Sequence, residues 1–186
     1  TSLIAWLEFN GLIFKIYEKN YLRLSFKAIS LIYLTFFSVI TFQSIELGFK
    51  TNIIYIVSIC IVSDIGGLLF GKIFKGKKLT KISPNKTISG SIGSFILSLV
   101  SVPIFYYFLA SFYIYSLNLF NLVILSLLVS MTCQLGDLFI SYLKRKANVK
   151  DTGDLLPGHG GVLDRIDGIL FALPMGILLW DLLFIS

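Results

Sequence analysis

Charge is scarce in this chain. Only 14% of its 186 residues are charged, against about 25% in soluble globular domains, while 56% are hydrophobic and the mean hydropathy is +0.87. So little polar surface cannot cover a water-facing fold of this size, which argues against a soluble enzyme. Cysteine is limited to Cys60 and Cys133, both inside apolar runs, so neither a disulfide framework nor a cysteine-based metal site follows. There is one histidine, His159. Negative charge is the scarcer sign, with 10 Asp and Glu against 16 Lys and Arg, a net +6. In a membrane protein that excess points to anionic headgroups, cytoplasmic loops or a phosphorylated substrate, and not to nucleic acid.

What the chain does have is long apolar runs. A bilayer core takes about 20 apolar residues as a helix. Five windows qualify: Ala28 to Leu47, Ile53 to Gly71, Ser91 to Leu109, Phe120 to Ile140 and Gly168 to Ile185. A sixth piece, Leu3 to Ile16, is short and interrupted by Glu8 and Asn10, and reads as the inner end of a span cut at Thr1. The runs lack the strict alternation of barrel strands, and a lipid-exposed backbone must satisfy its own hydrogen bonds, so helix is the expected state. The expectation is an all-α polytopic integral membrane protein with five full transmembrane helices and a partial N-terminal one. Residues 1–186 read as a single membrane domain lacking an N-terminal portion.

The positions of the charges test that topology. Lys15, Lys19, Arg23 and Lys27 precede the first full span. Six lysines follow the second, from Lys72 to Lys86, and Lys144, Arg145, Lys146 and Lys150 follow the fourth. The connectors on the other side, Gly48 to Asn52 and Ala110 to Leu119, hold only Lys50. All three basic clusters therefore fall on one side, the cytoplasmic one by the positive-inside rule.

Acids at or within a span are costly and tend to mark function. Five of the ten acids lie between Asp137 and Asp167, together with His159. Ser141 and Lys144 follow Asp137 at i+4 and i+7, so a continuing helix sets a carboxylate, a hydroxyl and an ammonium on one face. That trio suits a metal and the phosphate it carries, although a helix end meeting water would account for Ser141 alone. Asp164 and Asp167, at i and i+3, can point the same way where the fifth span begins. Either could instead be a helix cap. Pro157, Gly158, Gly160 and Gly161 allow a close-approach backbone around an anion. Carboxylates with no nearby cysteine and a single histidine favour magnesium over zinc.

The loop from Lys72 to Ser89 carries six lysines and no acid. Most are expected to serve sidedness and surface attraction. Lys86, beside Ser83 and Thr87, is the lysine expected to have a site role. Asp64 needs a partner within its span, and a cytoplasm-facing cavity shared with Asp137 would supply one. Two other patterns are read as chance. Gly66 to Ile73 falls one residue short of a P-loop but lies in a span, and Asn85-Lys86-Thr87 is a glycosylation sequon on the cytoplasmic side.

The run from Ser141 to Asp167 resembles the signature of the CDP-diglyceride synthetases, or phosphatidate cytidylyltransferases. The residues that carry it are Ser141, Lys144, Arg145, Lys150, Asp151, His159, Gly160, Gly161, Asp164, Arg165 and Asp167. Gly136-Asp137, the Ser83-Pro84-x-Lys86-Thr87 stretch and Asp64 also resemble family positions. Ser89 departs from the pattern, standing where the family usually has a Glu, as does Ile-Gly-Gly after Asp64.

The resemblance implies a bacterial inner-membrane enzyme, its site facing the cytoplasm, that joins CTP and phosphatidic acid into CDP-diacylglycerol and pyrophosphate with magnesium. It implies Asp137 and Asp164 as metal ligands with Asp167 beside them, and leaves a second cation and a homodimer open. Lys144 and Arg145 complete the expected catalytic group. Asp64, Ser83, Lys86, Thr87, Ser141, Lys150, Asp151, His159, Gly160, Gly161 and Arg165 form the expected substrate-binding group. A transporter or channel with Asp64 and Asp137 as ion sites is the alternative from another class, and an inactive relative is a third.

Overall fold

The computed structural model describes residues 2–80, 83, 86–110, 118–153, 155 and 160–184. The described residues form six helices: α1 Ser2–Ile16, α2 Asn20–Glu46, α3 Lys50–Phe74, α4 Ile88–Ala110, α5 Leu119–Lys146 and α6 Leu163–Phe184. No strand occurs among the described residues. The last five helices are each long and apolar enough to cross a membrane, as the five windows require. They run past those windows mainly at the basic end. There α5 continues to Lys146 and α6 already begins at Leu163, because polar helix ends can project beyond the hydrocarbon.

Helices α5 and α6 form the centre, with α3 and α4 against one side and α1 and α2 against the other. Tyr55, Ile59, Val129, Leu173 and Trp180 belong to the core shared by α3, α5 and α6. Ala5, Leu12, Leu34, Ile140, Leu143 and Leu170 belong to a second core that ties α1 and α2 to the same pair. The outward faces keep Leu24, Ile32, Phe42, Ile61, Ile104 and Leu182 exposed, an apolar surface that lipid would cover. Both cysteines are buried and free.

Two interfaces are set by glycine. A Cβ on Gly90 of α4 would lie 2.7 Å from the Gly67 carbonyl oxygen of α3, and one on Gly136 of α5 would lie 2.8 Å from the Asp167 carbonyl oxygen of α6. Neither helix pair could approach as closely with any other residue, the small-residue packing that membrane helices favour. Gly66 and Gly67 thus serve α3–α4 packing, consistent with reading the P-loop-like string as chance.

Polar side chains inside the bundle are paired across helices. Ser63 and Ser130 hydroxyls lie 2.8 Å apart, Tyr55 and Ser126 hydroxyls 2.7 Å apart, and Ser94 donates to the Ser63 carbonyl at 2.7 Å. Pro174 has no N–H for the Leu170 carbonyl four residues earlier. Tyr33 of α2 fills that gap, its hydroxyl donating to Leu170 O at 2.9 Å. The short helix α1 turns into α2 through Arg23, whose guanidinium donates to the carbonyls of Tyr17 (2.5 Å) and Phe14 (3.1 Å) at its end.

Candidate active site

The site lies where the C-terminal ends of α3 and α5 meet the N-terminal ends of α4 and α6. A cavity of about 590 Å³ opens there, lined by Asp64, Lys72, Ser83, Lys86, Thr87, Ser91, Gln134 and Asp137 among others. Asp64 and Asp137 share this cavity, as the cost of burying each alone required. The loop between α3 and α4 brings Lys86 to Asp137, with which it forms an ion pair, 27% and 30% exposed respectively. Lys86 also interacts electrostatically with Asp64. Because α5 does continue past its apolar window, Ser141 falls on the same face as Asp137 and donates to its Oδ1 at 3.3 Å.

The close contact at Gly136 sets the neighbouring residue, Asp137, against Asp167 on α6, and the two carboxyls interact directly. Asp164 goes elsewhere, although it lies only one turn earlier. Its Oδ1 accepts from Lys144 Nζ at 2.6 Å, and its Oδ2 accepts from Thr152 N (2.8 Å), Thr152 Oγ1 (2.9 Å) and Gly161 N (3.0 Å). Lys144 is near enough to act on Asp167 as well. The i, i+3 spacing therefore serves two jobs. Asp167 faces α5 and its carboxylate, while Asp164 gathers the loop that precedes α6.

The remaining expected residues divide. Thr87 caps α4, its hydroxyl oxygen accepting from Gly90 N at 3.0 Å. Ser89 holds the preceding loop, accepting from Gly76 N at 3.2 Å and lying 3.1 Å from the Thr87 hydroxyl. Arg145, Lys150, Asp151 and Arg165 are exposed at the basic end. Gly160 and Gly161 lie against Asp164, Asp151 and Thr152. His159, with Pro157 and Gly158, lies outside the described residues.

Three residues enter the site without having been expected there. Gln134 lines the cavity and accepts from the Ser91 hydroxyl at 2.6 Å. Thr152 bonds Asp164. Glu8 of α1 accepts from Val162 N, Leu163 N and the Thr152 hydroxyl. A signal for Glu8 was present, since a carboxylate inside an apolar helix must find donors. Its partners were not visible, because they lie more than a hundred residues away in the chain.

The donor set suits a hard cation in part. Asp137 and Asp167 bring two carboxyls together with one lysine paired to them, an excess of negative charge that a divalent ion would neutralise. Magnesium typically takes one or two carboxylates and fills its shell with water and phosphate oxygens. Among the described residues no three His, Cys, Asp or Glu side chains converge as a complete metal site, and Asp164 has both oxygens engaged.

The family model described as "Cytidylyltransferase family" matches residues 2–183. A Rickettsia felis protein named phosphatidate cytidylyltransferase is 39% identical over 170 residues, covering 89% of this chain and 74% of the relative. Proteins of the same name from Rickettsia bellii and Staphylococcus haemolyticus are 50% and 44% identical over 122 and 124 residues. The matches cover 62% and 66% of this chain, and about half of those two relatives, 52% and 46%.

Proposed function

Because the chain belongs to the cytidylyltransferase family, we propose that it transfers the CMP moiety of CTP to phosphatidic acid, giving CDP-diacylglycerol and pyrophosphate. The observation that carries this reading is Asp137, held among Lys86, Ser141 and Asp167 beside a cavity bordered by apolar helices. A phosphate oxygen of phosphatidic acid attacks the α-phosphorus of CTP, the bond to the β-phosphate oxygen breaks, and pyrophosphate leaves with that electron pair. The attacking oxygen is already anionic, so no nucleophile–base pair is needed. The requirement is neutralisation of two polyanions in one place.

The chain's own residues meet it in two groups. Lys86 and Lys72 bring positive charge to the cavity from the α3–α4 side, while Lys144, at the end of α5, is paired with Asp164. Asp137 and Asp167 are the residues that would hold magnesium, which supplies Lewis-acid neutralisation of phosphate charge when bound. The lipid tails stay beside the exposed apolar helix faces while the headgroup reaches the basic end, which faces the cytoplasm of a bacterial membrane.

The test is pyrophosphate release from CTP by purified protein in lipid nanodiscs. Release that requires both phosphatidic acid and magnesium is expected. Release unaffected by phosphatidic acid, or none under any of these conditions, would overturn the reading.

A further inference from the structure

The start of α6 is held by a carboxylate from another helix. Val162 precedes Leu163 at that start, and its apolar side chain cannot accept from the amides there, which also carry the positive end of the helix dipole. The acceptor comes from α1 instead. Glu8 Oε1 takes Val162 N at 2.9 Å and Glu8 Oε2 takes Leu163 N at 2.7 Å. The same Oε2 lies 3.0 Å from Thr152 Oγ1, which is itself 2.9 Å from Asp164 Oδ2. A hydroxyl has one hydrogen, so Thr152 is shared between two carboxylates and responds to both. Gly161 is what lets the α1 carboxylate in, since a Cβ there would lie 2.5 Å from Glu8 Oε2.

We propose that Glu8 is a positioning residue for cytidylyl transfer, fixing the Asp164–Lys144 pair through Thr152 and fixing the start of α6 through its first amides. The assignment rests on the function proposed above. Glu8 does not line the cavity, so it acts only through these neighbours. Asp164 and Asp167 both lie in the opening turns of α6, and a shift of that helix start would move the first against Lys144 and the second against Asp137. The short N-terminal helix thereby becomes a working part of the site and not merely a cover for it.

The experiment compares unmodified protein with Glu8→Gln, Glu8→Asp, Thr152→Val and the Glu8→Gln/Thr152→Val pair in nanodiscs, measuring kcat, KM and thermal midpoint. A misplacement of about 1 Å in a site can cost about 100-fold, so Glu8→Gln is expected to lose up to about that much kcat with little change in KM for CTP. Glu8→Asp, which keeps the charge, should recover part of the rate. The double variant should lose less than the product of the two single losses, because the Glu8–Thr152 contact is common to both. A folded Glu8→Gln protein with undiminished kcat, or losses that multiply in the double variant, would overturn the assignment. Amide hydrogen exchange in Glu8→Ala needs no turnover and separates this from failure of the function itself. Faster exchange at Thr152 and Val162 supports the positioning contact, and unchanged exchange overturns it, even if unmodified protein proves inactive toward CTP.

Discussion

Lys86 and Asp137 form an ion pair between the loop before α4 and the inner turn of α5, and Asp137 is also the residue that meets Ser141 and Asp167. One carboxylate thus touches three groups from three parts of the chain. Asp137→Asn keeps the shape but removes the charge that organises them. Loss of one aimed electrostatic group in an active site costs about 10²–10³ in rate, and CDP-diacylglycerol formation is expected to fall by at least the lower figure. Lys86→Met should fall comparably. Both are checked by product formation in protein whose folding is verified by its thermal midpoint.

The Lys144–Asp164 pair makes a different prediction. Its side chains are only 15% and 7% exposed, so removing one partner strands the other in a poorly solvated place. Lys144→Met alone is expected to destabilise by about 3 kcal/mol, in the range for a broken buried pair. Adding Asp164→Asn should restore much of that stability and none of the activity. Thermal unfolding and turnover on the same preparations separate the two effects.

Helix approach offers a contrast between two glycines. Gly136→Val would push α5 from α6 beside Asp137 and Asp167, with an overpacking cost of about 1–3 kcal/mol and a loss of turnover. A methyl group on Gly11 of α1 would meet nothing within 4 Å, so Gly11→Ala should be neutral or stabilise by up to about 1 kcal/mol, with activity kept. Melting and turnover of the two variants check both halves.

Much of the fold was legible because membrane spans are written in run length and lysine placement, and neither needs knowledge of tertiary contacts. Asp64 and Asp137 could be brought toward one cavity because an acid within a span is costly alone, and Lys86 could be singled out by the hydroxyls of Ser83 and Thr87 beside it. The division of labour between Asp164 and Asp167 was not legible. Spacing puts them on neighbouring faces, but the loop amides of Thr152 and Gly161 curl back to claim only the first. Arg145 directly follows Lys144, yet one step is about 100° around a helix, and it stands exposed while Lys144 turns inward. Glu8 looked like an interruption of an apolar piece because its donors come from the other end of the chain.

The most direct measurement of the central claim follows two labels in CTP. Nanodiscs containing phosphatidic acid and the purified protein are supplied with CTP labelled at the α-phosphorus or, separately, at the γ-phosphorus, and the lipid and aqueous phases are counted. Attack at the α-phosphorus predicts that the α label enters the lipid phase as CDP-diacylglycerol while the γ label stays in water as pyrophosphate. The γ label in lipid, or neither label there, would contradict the account.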